Sequence, residues 1–296
     1  DLWTVPAPDN KSGHYVIDAQ EPIGSDGPRG EGDTNDIDTS FSATYNGYCH
    51  LITNISFASV SGQYVGMFGY NAGNLWNIVL AAEYDADEDA HHYLVKRQET
   101  IENEYVYMGV LAGFNGDNAI IDNCAVAGYY VAGADGTIHA HVGSVLYAGG
   151  MVGLNAGTIT NSAADFPMIN LSTDFVTGAY VGGFVGGNQK TIGNCYAIGH
   201  IEVTARAGSV DLGGFAALNG SYINNSYCAV SYTSGGAAVS DEDNPGADAT
   251  NIRPHAFSPP TGRVIRSFYL DRGTFTFVYK MRTFNAVRSE ERRVGK

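Results

Sequence analysis

The sequence predicts an all-β chain, a right-handed parallel β-helix (solenoid) of about six coils interrupted by loop insertions. Three observations carry that expectation. Of 296 residues 38 are Gly and 19 are Tyr, while charged residues make up only 16%, a bias toward turns and aromatic strands and away from salt-bridged helices. A glycine-rich segment bounded by two asparagines recurs along the chain. Apolar residues fall in the same columns of each copy, several of them at the two-residue spacing of a strand.

The copies read YVGMFGYNAGNLWNIVL (64–80), YMGVLAGFNGDNAIIDNCAV (107–126), YAGGMVGLNAGTITNSAA (147–164), YVGGFVGGNQKTIGNCYA (180–197) and DLGGFAALNGSYINNSYC (211–228). A sixth, GRVIRSFYL (262–270), keeps the second half. The first asparagine falls at Asn71, Asn115, Asn155, Asn188 and Asn219, so intervals of 44, 40, 33 and 31 residues describe a fixed core with variable insertions. The second falls at Asn77, Asn123, Asn161, Asn194 and Asn225, with Ser267 standing in its place in the sixth copy. In-register stacking would bring equivalent amides within ~4.8 Å of each other, close enough for ladders that satisfy the corners. Asparagine also tolerates the dihedrals of tight turns, a compatible reason for its presence.

Two residues before the second asparagine stand Leu75, Ile121, Ile159, Ile192, Ile223 and Ile265, a core column. One residue after it come Ile78, Cys124, Ser162, Cys195, Ser226 and Phe268, and three after it Leu80, Val126, Ala164, Ala197, Cys228 and Leu270. Both columns are expected to point inward. In the earlier half, Met67, Leu111, Met151, Phe184 and Phe215 form a large apolar column, preceded three positions earlier by Met108, Ala148, Val181 and Leu212. A uniform strand cannot send residues three apart inward, so the paired glycines between them, such as Gly182 and Gly183, predict a bulge or bend that the first copy should lack. GTIHAHV (136–142) and GHIEVTA (199–205) predict a third strand in their units. Units of two or three strands cannot bury an apolar face alone, and stacking them makes one continuous core. A β-sandwich of hairpins is the alternative, and it does not require columns repeated six times.

The formal net charge is -15, and only Lys11, Arg29, Lys96, Arg97, Lys190 and Arg206 supply positive charge before Arg253. Such a body repels phosphate backbones and anionic lipid, which argues against nucleic-acid and membrane-surface partners. Nothing at the start resembles a signal peptide and no apolar run is long enough to span a bilayer, so the chain is expected to be part of a longer protein. RSEERRVGK (288–296) is the translation of a DNA stretch resembling a common sequencing adapter and is set aside as not biological. Without it 12 basic and 29 acidic residues remain, a net of -17. The expected organisation is a loop and strand lead-in over residues 1–40, with HYVIDA (14–19) as its strand, followed by the β-helix over 41–287.

At these columns the chain resembles the GLUG-motif repeats of bacterial surface and secreted proteins. The core of the motif reads GMFG (66–69), VLAG (110–113), GMVG (150–153), GFVG (183–186) and GFAA (214–217), of which the second and fifth depart from the pattern. FSATYNGYCHLITNISF (41–57) is similar to the lead-in before such repeats, so the likeness spans roughly residues 41 to 270. The resemblance implies a place in adhesin-like and cell-surface proteins, or in noncatalytic parts of secreted immunoglobulin A metallopeptidases. It carries no catalytic residue onto this chain.

No HExxH sequence offers a zinc helix. His139 and His141 share one face of an expected strand and could give two metal ligands, but they are expected to face outward with no comparable pair on the adjacent rung; His91 and His92 are sequence neighbours. Asp85, Asp87 and Asp89 open like a calcium loop, but Ala90 replaces its glycine and Lys96 its bidentate acid, so a solvated loop is expected and weak Ca²⁺ binding is the alternative. The acidic SDEDNPGAD (240–248) is read as a solvated excursion. Cys124 and Cys195 share a column two rungs apart, ~9.6 Å by strand spacing, beyond the ~7 Å reach of a disulfide. Tyr107, Tyr147 and Tyr180 form one column and Tyr196, Tyr227 and Tyr269 another; the second, if outward, is an aromatic strip for sugar or protein, or else a stacked structural ladder.

The function expected from these features is a noncatalytic extracellular adhesin or stalk segment, with no cofactor and with a host or matrix glycan or protein as partner. Two alternatives stand beside it: a carbohydrate-active lyase or glycosidase with its site in an insertion, and the noncatalytic region of a secreted metallopeptidase.

Overall fold

The computed structural model describes residues 17–20, 22–24, 40–53, 55–58, 63–81, 95–97, 105–127, 138–141, 145–172, 178–204, 209–234, 237–238, 252–255, 258, 262–265, 267–271, 274–279 and 282–286. Among them every regular element is a strand, and the strands form four sheets. Sheet 1 stacks Tyr64–Val65, Tyr105–Gly109, Val145–Gly149, Gly178–Gly182, Ser209–Gly213 and Ile252–His255. Sheet 2 stacks Phe68–Asn71, Ala112–Asn115, Val152–Asn155, Val185–Asn188 and Ala216–Asn219. Sheet 3 runs from Thr44–Asn46 through Asn74–Trp76, Ile120–Asp122, Thr158–Thr160, Thr191–Gly193 and Tyr222–Asn224 to Arg263–Ile265. Sheet 4 holds Leu51–Thr53, Val79–Ala81, Ala125–Ala127, Ala163–Ser172, Tyr196–Thr204, Tyr227–Ser234 and Ser267–Asp271 among its fourteen strands.

Each full copy passes through sheets 1, 2, 3 and 4 in that order, and equivalent strands pair in parallel and in register. This is the rung stacking of a parallel β-helix. Four strands make a rung, where the residue pattern suggested two or three, because two short corners divide the chain more finely than alternation alone shows. At the first corner the chain bends at 150–151, 183–184 and 214–215 and changes sheet. That change explains the three-residue spacing: Ala148 and Met151 are both buried, yet belong on either side of a bend. The first copy keeps a bend at 66–67 with one residue fewer, contrary to the expectation that it lacks one, and Phe68 becomes its large buried ring.

The second corner is made by the second asparagine, which adopts a left-handed backbone in all five copies, with φ between 49° at Asn225 and 57° at Asn194. Asparagine reaches this region at lower cost than other side-chain-bearing residues because its short polar group can bond locally. One buried cluster runs through the rungs and includes Leu75, Ile121, Ile159, Ile192 and Ile223. Apolar burial at roughly 25 cal/mol per Å² is the main force holding successive rungs together.

The lead-in joins this stack. Thr44–Asn46 pairs with Asn74–Trp76, placing Tyr45 beside Leu75, and Ile17–Gln20 pairs with Ile55–Ala58. Long inserted segments fall within the fourth strand: Ala125–Ala127 and Ile138–His141 pair separately with the two halves of Ala163–Ser172. At the other end Thr274–Tyr279 and Arg282–Ala286 add to Ser267–Asp271 as an antiparallel meander. Residues 288–296 lie outside the described residues.

The sixth copy shifts by one residue from the expected alignment. Val264, not Ile265, pairs with Ile223 and is buried, so Ser267 takes the place of Ser226 and not that of an asparagine. Its hydroxyl donates to the Ile265 carbonyl at 3.1 Å and accepts from the Ser226 amide at 3.1 Å. Val264 and Ile265 are adjacent aliphatics, and only one can point inward; the serine hydroxyl settles which.

Candidate functional site

The first asparagines form an unbroken buried ladder. Asn71 donates to Asn115, Asn115 to Asn155, Asn155 to Asn188 and Asn188 to Asn219, at 2.8, 2.8, 2.9 and 3.0 Å. All five are fully buried. Several also cap their own turn, as when Asn155 Oδ1 accepts from the Gly157 amide at 3.2 Å. The role is architectural: a polar group at the corner is satisfied along the stack and within the chain.

The second ladder lies at the surface. Asn77 donates to Asn46, Asn123 to Asn77, Asn194 to Asn161 and Asn225 to Asn194. One step is diverted, because Asn161 donates to Asp122 Oδ1 at 2.7 Å, as does the Thr160 hydroxyl at 2.6 Å.

The two tyrosine columns differ in what their rings meet. In the first, Tyr147 stacks on Tyr107 at 5.4 Å and on Tyr180 at 4.8 Å, and the column continues to Tyr64. The rings of sheet 2 pack against this column edge-on, Phe114 to Tyr107 at 5.3 Å. Burial, then the neighbouring Tyr180, pushes the Tyr147 phenol up to about 12. With its neighbours on both faces, this column is a structural ladder.

The second column points outward but does not contain Tyr269. Tyr227 pairs with Tyr196 on one side and with Phe268 on the other, while Tyr269 pairs with Cys228, in the inward-facing column. The expected strip of Tyr196, Tyr227 and Tyr269 is therefore broken at its last member, whose place in the register is taken by Phe268, a consequence of the same one-residue shift. Tyr196 is 41% exposed and Ile198, on the same face, 39%. Together with Asn194, Cys195, Asn225 and Tyr227 they line an open depression of about 490 Å³ at the corner between sheets 3 and 4. On the other side of Tyr196 the column holds Ala163 and then Ala125. This depression was only half legible in the sequence: the tyrosine column was visible, whereas its pairing with the exposed amides required the corner geometry.

All four cysteines are free thiols, Cys49 exposed and the others buried. Cys124 accepts no partner sulfur and instead donates to the Asp122 carbonyl at 3.4 Å; Cys195 donates to that of Gly193 at 3.1 Å. Burial raises both thiols to about 12. His139 pairs in register with Lys96 and Asn170, and His141 with Ser172. His200 Nδ1 lies 2.7 Å from Ser231 Oγ, and burial lowers its pKa against the opposing effect of Glu202. Asp85, Asp87, Asp89, His91, His92 and the acidic segment 240–248 lie outside the described residues. Among the described residues no group of three or more His, Cys, Asp or Glu side chains is placed to hold a metal ion, and no helix is long and apolar enough to cross a membrane.

Residues 177–204 match the GLUG motif, a repeat known from extracellular and secreted proteins. The match covers the fourth rung, from the start of its sheet 1 strand to the end of its sheet 4 strand. No curated protein and no solved structure matches the chain.

Proposed function

We propose that this chain is a noncatalytic segment of a bacterial cell-surface or secreted protein, an adhesive or stalk-like β-helix that works without a cofactor. The observation that supports this reading most is the buried asparagine ladder through five consecutive rungs, with one apolar core beside it. Stacked repeats of this kind are quasi-one-dimensional: each rung contacts its neighbours, and length is added without a new core. The result is a spacer whose outer faces are free to meet a host or matrix glycan or protein. The match to the GLUG motif adds support for an extracellular setting.

The test is labelling of the full-length protein on intact cells of its source, with an antibody raised against this segment, beside a screen of the purified segment for polysaccharide cleavage. Labelling of intact cells and an absence of cleavage are expected. Label reaching the segment only after lysis would overturn the surface assignment, and release of reducing ends or unsaturated products would overturn the noncatalytic one.

A further inference from the structure

We propose that the outer corner between sheets 3 and 4 is a binding track for a linear, neutral polysaccharide lying along the stacking axis. This rests on the reading of the chain as an adhesive extracellular segment. The depression at Tyr196 supplies the first argument. Tyr196 has an alanine, Ala163, beside it in the column, so one side of its ring has no neighbouring ring in its column, unlike Tyr147. An exposed aromatic face packs against the apolar C–H face of a pyranose, removing apolar surface of both from water.

The surface amides supply the second. A side-chain amide has two N–H donors. Asn194 uses one on Asn161 and Asn225 one on Asn194, which leaves a second N–H on each rung for a ligand hydroxyl. Asn225 Oδ1, at the end of this ladder, is an acceptor for the same purpose. Charge supplies the third: the six side chains lining the depression are uncharged, on a chain of net charge -15 that repels anionic glycans at long range.

Repetition decides between a compact sugar and a chain. The amide column continues away from the depression through Asn161, which donates to Asp122, and Asn123, one amide every ~4.8 Å, while beside it stand the buried Ala163 and the half-buried Ala125. A polymer that presents hydroxyls in a regular repeat meets the amide column along its length while one of its residues covers the Tyr196 ring, and a monosaccharide meets one rung.

The test is titration calorimetry of the 296-residue chain with cellohexaose, xylohexaose, laminarihexaose and chitohexaose, and with an oligogalacturonate as the anionic comparison. At least one neutral hexasaccharide is expected to bind more tightly than its own monosaccharide. Tyr196→Ala and Asn225→Ala are each expected to weaken that binding at least fivefold, while Tyr196→Phe, which keeps the ring, and Ile120→Ser, on the exposed face of sheet 3, leave it within twofold. Failure of all four neutral sugars to bind, binding that survives both alanine variants, or tighter binding of the oligogalacturonate would each overturn the track. Sugar-blind protein that is still labelled on intact cells removes the track alone; label confined to lysed cells removes the surface reading instead.

Discussion

Asn115 donates its side-chain amide to Asn155 at 2.8 Å, although the two stand 40 positions apart in the chain. Asn155 passes the same bond on to Asn188 at 2.9 Å, and all three side chains are fully buried. The ladder therefore joins rungs through side chains as the sheets join them through backbone. Its members are dependent on one another.

Replacing Asn155 by Leu leaves the Asn115 amide without its acceptor and removes the cap on Gly157. Each buried polar group left unsatisfied costs about 1–3 kcal/mol, so a loss of about 2–6 kcal/mol is expected in urea unfolding. A loss below about 1 kcal/mol would show that the ladder contributes little beyond filling space.

The left-handed corners give a second expectation. At Asn161, with φ of 51°, glycine relieves the steric conflict of a Cβ and alanine does not. Asn161→Ala is expected to be less stable than Asn161→Gly by about 1 kcal/mol, measured by thermal unfolding of both variants. Equal stabilities would mean the corner relaxes to another conformation.

Gly186, the last glycine of GFVG, lies against backbone. A Cβ there would stand 2.7 Å from the Ala148 nitrogen and the Gly153 oxygen and 2.8 Å from the Tyr180 oxygen. None of these is a side chain that can swing away. Gly186→Ala is expected to destabilise by more than the ~1–3 kcal/mol typical of overpacking, or to prevent folding; near-native stability would show that the two strands separate easily.

The buried thiols contribute to the loss of stability at alkaline pH. Burial holds Cys124 and Cys195 at about 12, above the ordinary 9.0, so the folded chain keeps protons that the unfolded chain releases. Their contribution is complete below pH 9 and is lost progressively as pH rises from 9 toward 12. Native protein at pH 8 is expected to incorporate iodoacetamide at Cys49 and to spare Cys124 and Cys195 until denaturant is added. Mass-spectrometric labelling of either buried thiol at the rate of Cys49 would contradict the packing.

Much of the rung is legible in the sequence. The ladder asparagines, the aliphatic column from Leu75 to Ile223 and the small column at Cys124, Ser162 and Cys195 all occupy the places their recurrence suggested. The corner at Gly182 and Gly183 was legible as a bend but not as a change of sheet, because alternation reports on which face a residue lies and not on which sheet. Tyr269 was misplaced for a related reason: adjacent Val264 and Ile265 fit one aliphatic column equally well by chemistry.

The sequence by itself determined that this chain stacks rungs, because residues that recur at fixed offsets from a turn can only share a core when the copies lie in register. Only the tertiary structure decided the phase of the last copy, the division of each rung among four sheets, and which tyrosines spend both faces on one another. Those outcomes depend on the neighbour above and below each residue. Tyr147 and Tyr196 are the same kind of side chain on the same kind of strand, and the difference between a sealed ladder and an open ring is whether Tyr107 or Ala163 occupies the adjacent rung.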